Sequence, residues 1–438
     1  MSKTQRYEPN PLAVIRHPEW SRSSSIYQIN IRQFTPEGTF NAALEHLPRL
    51  KRLGVEILWL MPIHPIGEEN RKGTLGSPYA VKDYFGVNPE FGTADDLRSF
   101  IHTAHDSGFR VILDWVANHT AWDSDLVDEH PEWYMRNWKG EFMPTPWWDW
   151  DDIIELDYQQ PELREYMTRA MKYWVKEFDV DGYRCDVAGF VPTDFWDRVR
   201  GELDRIKPVF LLAEWEARDL HYRSFDMTYG WHWNETMHHI AMGKTDVQSL
   251  FIYYSWNEKA FPHSAMRMLF VSNHDKNAWE GTEYEQFGDA LDATIALSVV
   301  SEGMPLIYNG QEAGNERRLS FFEKDPIQWR EDRMFDFYSR LIQLKKKNPA
   351  LWNAPWGARM VQVVNSEPGS VFSFVREKDG NRIFALFNFS SEKKSCKILD
   401  GPVQGTYRWW QGGEPTPLEI GQERSLEPWG FEIWVGNS

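Results

Sequence analysis

The stretch VFLLAEW, residues 209–215, runs five core-forming residues into a glutamate. An isolated carboxylate in apolar surroundings costs several kcal/mol or more, so Glu214 must be hydrogen-bonded, paired or protonated. A continuous apolar run of this length reads as a strand buried on both faces. Seven further runs resemble it: SIYQINI (25–31), VEILWLMP (55–62), FRVILDWV (109–116), VDGYRCDV (180–187), RSFDMTY (223–229), RMLFVSNHD (267–275) and MPLIYNG (304–310). Helical patterns such as HLPRLKRLG (46–54), ELREYMTRAMKYWVKEF (162–178) and DFWDRVRGELDRI (194–206) separate them. Eight strands alternating with helices imply a parallel sheet under helices, and that number favours a closed (β/α)8 TIM barrel over an open sheet.

Spacing places the remaining segments. Four of the runs carry an acid at or near their C-terminal end: Asp114, Asp186, Glu214 and Asp275. The interval from 186 to 214 fits one strand-helix unit and that from 214 to 275 fits two, but 114 to 186 is too long for one. A short inserted domain is therefore expected after the third strand, at 120–160, leaving the barrel to 1–119 and 161–350. Beyond the helix in FDFYSRLIQLKKKN the pattern changes to short alternating strands with turns, as in SVFSFVREKDGNRIFALFNFS. Residues 351–438 are thus expected to form a C-terminal antiparallel β domain.

The chain has 438 residues, of which 42% are hydrophobic, and a formal net charge of −17 with no block of Lys and Arg to offset it. A surface that tracks phosphate is not expected, which removes nucleic acid and anionic membranes as partners. Two cysteines, Cys185 and Cys396, exclude a disulfide framework and a cysteine metal site. No apolar run of signal-peptide length precedes the first strand, so a cytoplasmic protein is expected. The sequence leaves oligomeric state open.

In a parallel barrel all strand C-termini open on one face, so four acids far apart in sequence would surround one mouth. A single acid there is also what a helix cap would supply. Arg184 stands two residues before Asp186, on the same strand face, where a guanidinium would keep that carboxylate ionised. Glu214 ends the most apolar of these strands beside Trp215, surroundings that raise a carboxyl pKa and hold the proton. One ionised and one protonated carboxyl across a pocket is the equipment for cleaving a glycosidic bond.

The segments DWVANHT (114–120), DGYRCDVA (181–188), LLAEWE (211–216) and FVSNHD (270–275) together resemble the four ordered sequence signatures of the α-amylase family, glycoside hydrolase family 13. SPYAVKDYFGVNPEFGT (77–93) and MPLIYNGQEAG (304–314) resemble further stretches of it. The resemblance implies a retaining α-glucan hydrolase that cleaves α-1,4 bonds of maltooligosaccharides or starch-like glucans through a covalent glycosyl-enzyme. It implies Asp186 as nucleophile, Glu214 as acid/base and Asp275 as transition-state stabiliser. Tyr79, His119, Arg184 and His274 would line the subsite of the attacked glucose, with Asp114 and Asn118 as supports.

No cofactor is required by this chemistry. Asn118 coordinates calcium in many family members and is the metal candidate here, but the Lys-His pair that often follows the nucleophile in calcium-dependent amylases is replaced by Gly189 and Phe190. Asp325, after the eighth strand, is a candidate contact to a neighbouring sugar or else a helix cap. Trp147, Trp148 and Trp150 would form either a stacking platform at the cleft rim or the core of the small inserted domain. The same site would serve an α-glucosyl transferase or isomerase, or an exo-acting α-glucosidase, and the fold alone would permit a non-catalytic carbohydrate-binding protein.

Overall fold

The computed structural model describes residues 13–437; residues 1–12 and 438, which fall within the expected barrel and C-terminal segments, lie outside it. The eight apolar runs supply strands β1 (Ile26–Ile29), β2 (Ile57–Leu60), β3 (Arg110–Trp115), β6 (Gly182–Cys185), β7 (Phe210–Ala213), β8 (Met227–Tyr229), β9 (Met266–Leu269) and β10 (Met304–Tyr308). They close into a barrel in the order β1-β10-β9-β8-β7-β6-β3-β2, and every pairing is parallel. The (β/α)8 expectation holds.

Alternation along each strand sorts the side chains. One set, including Ile57, Trp59, Ile112, Leu212, Met227 and Met268, fills the barrel interior. The intervening set, including Leu58, Leu113, Tyr183, Leu211 and Ala213, packs outward with the helices. Following the inward column up three adjacent strands gives Ile112 then Asp114, Gly182 then Arg184 and Asp186, Phe210 then Leu212 and Glu214. The interior is thus apolar at depth and ionisable at the C-terminal mouth. Gly182 is required where it stands: its φ is +150°, and a Cβ there would lie 1.9 Å from the carbonyl oxygen of Phe210.

Between β3 and β6 the chain leaves the barrel through β4 (His119–Ala121) and β5 (Ile153–Glu155), an antiparallel pair with His119 opposite Glu155. Because β4 begins four residues after β3 ends, this excursion rises beside the mouth. After β10 and the helix Arg333–Lys347, strands between Met360 and Asn437 form a six-stranded and a three-stranded antiparallel sheet. The larger sheet is buried on both faces: Phe372 and Phe374 join the barrel-side core, whereas Val371 and Val375 join a separate core against the smaller sheet. Two buried basic side chains pin that face, Arg376 donating to the carbonyls of Val300 and Ser301, and Lys345 to those of Gly303 and Leu351. Among the described residues no helix is long and apolar enough to cross a membrane. Cys185 and Cys396 are both free and buried.

Candidate active site

Arg184 is fully buried and organises the mouth. Its Nη1 donates to Asp114 Oδ1 at 2.7 Å and to Asp186 Oδ1 at 2.8 Å. Its Nη2 lies 2.9 Å from Glu214 Oε2, paired by charge but not aligned as a hydrogen bond. Its Nε donates to the Tyr229 hydroxyl at 3.1 Å. One guanidinium therefore serves three carboxyl groups on three adjacent strands. The ring of Trp59 lies 5.1 Å below its charge.

The turn after Asp186 adds a second restraint. Val187 has φ 34° and ψ 47°, a left-handed conformation costly for a β-branched residue. That turn aims its N–H at Glu214 Oε2, 2.8 Å away. Glu214 Oε2 is thus held from two sides, leaving Oε1 toward the cleft. Asp186 likewise gives Oδ1 to Arg184, while its Oδ2 faces His119 Nε2 at 4.0 Å.

Asp275 departs from the expectation that it ends a strand. Strand β9 stops at Leu269, and Asp275 sits at the start of a π-helical turn, Lys276–Glu280, six residues later. Its side chain makes no capping bond there and is 36% exposed, the most open acid of the four. His274 Nε2 lies 3.3 Å from it. The other ring nitrogen of His274 is 2.7 Å from Gln28 Nε2. The Tyr79 hydroxyl joins the two halves of the mouth, 2.9 Å from His274 Nε2 and donating to Asp114 Oδ2 at 3.0 Å. Trp59 Nε1 also donates to Asp114 Oδ2 at 3.0 Å.

Four carboxyls around one guanidinium cannot all ionise cheaply. Burial pushes Asp186 and Glu214 well above the usual carboxylate range; Arg184 pulls each back, and the neighbouring acids push them up again. Asp114 is raised in the same way, and Asp275 is raised by burial against the pull of Arg184 and Lys276. The expectation that Arg184 keeps Asp186 ionised meets a competing demand, because the guanidinium is shared with Asp114 and Glu214. The remaining asymmetry is geometric: Asp186 receives an aligned hydrogen bond from Arg184, and Glu214 does not. His119 is lowered to about 3, chiefly by burial, and burial with the Arg184 charge drives His274 well below its usual value, so both are neutral.

The structure gathers Asp114, Asp186, Glu214, Asp275, Tyr79, His119, Arg184 and His274 at one mouth. Asp325 closes its own loop: one oxygen pairs with Arg317 and the other accepts the Ser320 N–H at 3.0 Å. It caps no helix, since Asp332 caps Arg333–Lys347. Asn118 turns its amide nitrogen to Thr145 Oγ1 at 3.1 Å and lies 3.3 Å from His119 Nδ1. These neighbours do not form the oxygen-rich set a hard cation takes, and among the described residues no three of His, Cys, Asp and Glu are grouped to hold a metal.

Aromatic residues flank the acids on both sides. Phe321 lies parallel to Tyr79 at 6.2 Å and to His274 at 6.1 Å, with Trp279 beyond it at 5.5 Å. Opposite, Trp150 meets His119 at 5.9 Å and stacks on Trp148 at 4.7 Å. Trp147 and Trp148 are 103% and 52% exposed, so they are not the core of the inserted segment; Trp150 alone packs into a small cluster with Ile66, Ala80, Ala121 and Ile153. Sequence reasoning passed over Gln28, Trp59, Tyr229 and Phe321. The first three occupy strand positions that a face-by-face reading would have aimed at the mouth.

The chain matches the family model described as "Alpha amylase, catalytic domain" over residues 21–208. Among solved structures it superposes on a noncanonic maltogenic alpha-amylase, AmyB, from Thermotoga neapolitana with a TM-score of 0.86 at 30% identity, covering 95% of this chain and 99% of that one. An alpha-amylase from Lactobacillus plantarum gives a TM-score of 0.83 at 31% identity, covering 94% and 99%. Alpha-amylase MalA of Haloarcula japonica is 28% identical over 413 residues, covering 89% of this chain; the match spans 60% of that longer relative.

Proposed function

The chain belongs to the α-amylase family, glycoside hydrolase family 13, and on that footing we propose that it hydrolyses α-1,4-glucosidic bonds of maltooligosaccharides or starch-like glucans with retention of configuration. The observation that carries the reading is Arg184, whose single guanidinium reaches both Asp186 and Glu214. Carboxyls held side by side in this way suit the short separation of retaining enzymes, about 5–5.5 Å, better than the wider gap that admits an inverting water.

In the proposed reaction Glu214 gives the proton on Oε1 to the departing glycosidic oxygen. Asp186 attacks the anomeric carbon with Oδ2, the oxygen Arg184 leaves free, and forms the glycosyl ester. Water then attacks that carbon, passing its proton to the Glu214 carboxylate as the ester bond to Asp186 breaks. Asp275, open to the cleft, faces the ring hydroxyls and the positive charge that develops on the sugar. Neutral His119 and His274, with Tyr79, supply hydrogen bonds without adding charge. Asp114 touches Arg184, Tyr79 and Trp59 and acts through them as a positioning residue.

Proton NMR during digestion of maltoheptaose tests the reading, with the α anomer expected to appear first. The β anomer first would exclude retention. Absence of any released sugar from folded protein would favour the binding-protein alternative.

A further inference from the structure

Helix Arg333–Lys347 and the strand Gly405–Trp409, next to the edge of the larger C-terminal sheet, face each other across a groove of about 970 Å³. None of its lining residues belongs to the mouth. The helix presents Arg340, Leu344 and Lys347 to it, a stripe at i, i+4 and i+7. The strand presents Arg408, which pairs with Val435 and therefore shares the face that packs toward the barrel. Pairing continues through Trp410, whose N–H reaches the Ile433 carbonyl at 3.1 Å, so alternation puts its indole on the same side as Arg408. That indole is half-buried, and its Nε1 meets no acceptor among the described residues.

Charge sets this groove apart. The chain carries 65 acidic against 48 basic residues, yet among the described residues no Asp or Glu lines the groove. Arg340, Lys347 and Arg408 are exposed, and among the described residues none of them has an ion pair or a side-chain hydrogen bond. The three lysines that end the helix have different surroundings: Lys345 is buried on carbonyls, Lys346 pairs with Glu56 at 3.2 Å, and Lys347 is left to the groove. Lys347 suits the negative end of a helix, but Arg340 in mid-helix and Arg408 on the strand have no such counterpart. Like charges gathered in this way repel one another, and an anion between them removes that repulsion.

The spacing selects among anions. Seven residues separate Arg340 from Lys347, about 10 Å along the axis. A chain of phosphates runs along that distance, whereas a single phosphate meets one end of it. A neutral sugar would leave the cations uncompensated, and three cations are too few to track a nucleic acid backbone. We propose that the groove binds a nucleoside triphosphate, its phosphates along Arg340, Arg408 and Lys347 and its base against the indole of Trp410. Bound there, the nucleotide joins the last helix of the barrel to the C-terminal sheet and stabilises their junction by mass action.

The test is isothermal titration calorimetry of the full chain with ATP in metal-free buffer at low salt, with the melting temperature followed in parallel. One site is expected, with a higher melting temperature in the presence of ATP. Arg340→Ser and Arg408→Ser should each weaken binding about tenfold, the size of one charged hydrogen bond. Both positions are exposed and unpaired, so these variants should fold and keep wild-type turnover of maltoheptaose. Inorganic triphosphate, which lacks the base, and glucose 1-phosphate, which lacks the phosphate chain, should each bind at least tenfold more weakly than ATP. No binding of ATP, or unchanged affinity in both arginine variants, overturns the proposal. Triphosphate or glucose 1-phosphate binding as tightly as ATP overturns the assignment of a nucleotide. A wild-type chain that binds ATP and releases no sugar would count against the proposed hydrolysis alone.

Discussion

Asp181 and Asp226 precede the first residues of β6 and β8 at the N-terminal floor of the barrel, while Asp114, Asp186, Glu214 and Asp275 surround its C-terminal mouth, and the two groups meet opposite electrostatic conditions. At the floor each acid has several partners. Asp181 receives His105 at 2.7 Å, Lys207 at 3.2 Å and the Val111 N–H at 2.9 Å. Asp226 receives Arg200 at 2.7 Å, His17 at 2.8 Å and the Leu211 N–H at 2.8 Å. Burial works against ionisation there too, but these partners outweigh it and hold both acids below the usual range. At the mouth three acids share one fully buried guanidinium that acts on Asp275 only at longer range, burial prevails, and all four are raised. Burial alone does not decide the state of a carboxyl; the balance of opposite to like charge around it does, and the excess of acid lies where protons must move.

The sharpest way to break this contrast is to remove one member from each end. Glu214→Gln should lower turnover of maltoheptaose by about 10²–10⁴-fold, the range of a lost general acid, while formation of the glycosyl-enzyme from α-maltosyl fluoride is largely spared. Steady-state turnover of maltoheptaose and the pre-steady-state burst of fluoride check it, and loss of the fluoride burst along with the turnover would remove Glu214 from its role. Asp226→Asn leaves Arg200 buried with too little compensation and should cost about 3–5 kcal/mol of stability, read by denaturant unfolding. Activity per folded molecule should be unchanged.

Linkage sharpens the comparison. The floor acids are depressed on folding, so their stabilisation is present above the ordinary aspartate value and is lost as pH falls through their lower folded values. The mouth acids are raised, so they oppose folding fully above their folded values, and that opposition fades as pH falls from those values to the ordinary carboxylate range. Because Asp275 is partly open to solvent, which screens this penalty, Asp275→Asn should raise the melting temperature only slightly at pH 8 and by less at pH 5, while activity falls. A fall in melting temperature at pH 8 would contradict the assignment of strain to the mouth. In the same sense, kcat/KM should lose its acidic limb well above pH 4, as Asp186 protonates, and its alkaline limb as Glu214 loses its proton.

The barrel was legible because each strand is a continuous apolar run, and the mouth because acids stand at inward positions two residues apart from apolar ones. Reading the same columns further would have added Trp59 and Tyr229, which meet Arg184 because the barrel's curvature turns β2 and β8, each one strand removed from β6, toward it. The placement of Asp275 was not legible: a π-helical turn carries it back to the mouth six residues after its strand has ended. Nor was Asp325, whose partner Arg317 lies eight residues away in a loop without periodicity. Gly189 is the clearest case. It has no left-handed φ, and its need for glycine shows only once the fold lays Trp215 over it, where a Cβ would come within 2.2 Å of the indole.

The central claim, that Asp186 and Glu214 divide one reaction around a shared Arg184, is tested most directly by trapping. Glu214→Gln enzyme, in which the second step lacks its base, is mixed with α-maltosyl fluoride, quenched in acid, digested and analysed by mass spectrometry. The expected result is one maltosyl unit in ester linkage to Asp186. An adduct on any other residue, or none while fluoride is released and product of inverted configuration accumulates, would contradict it.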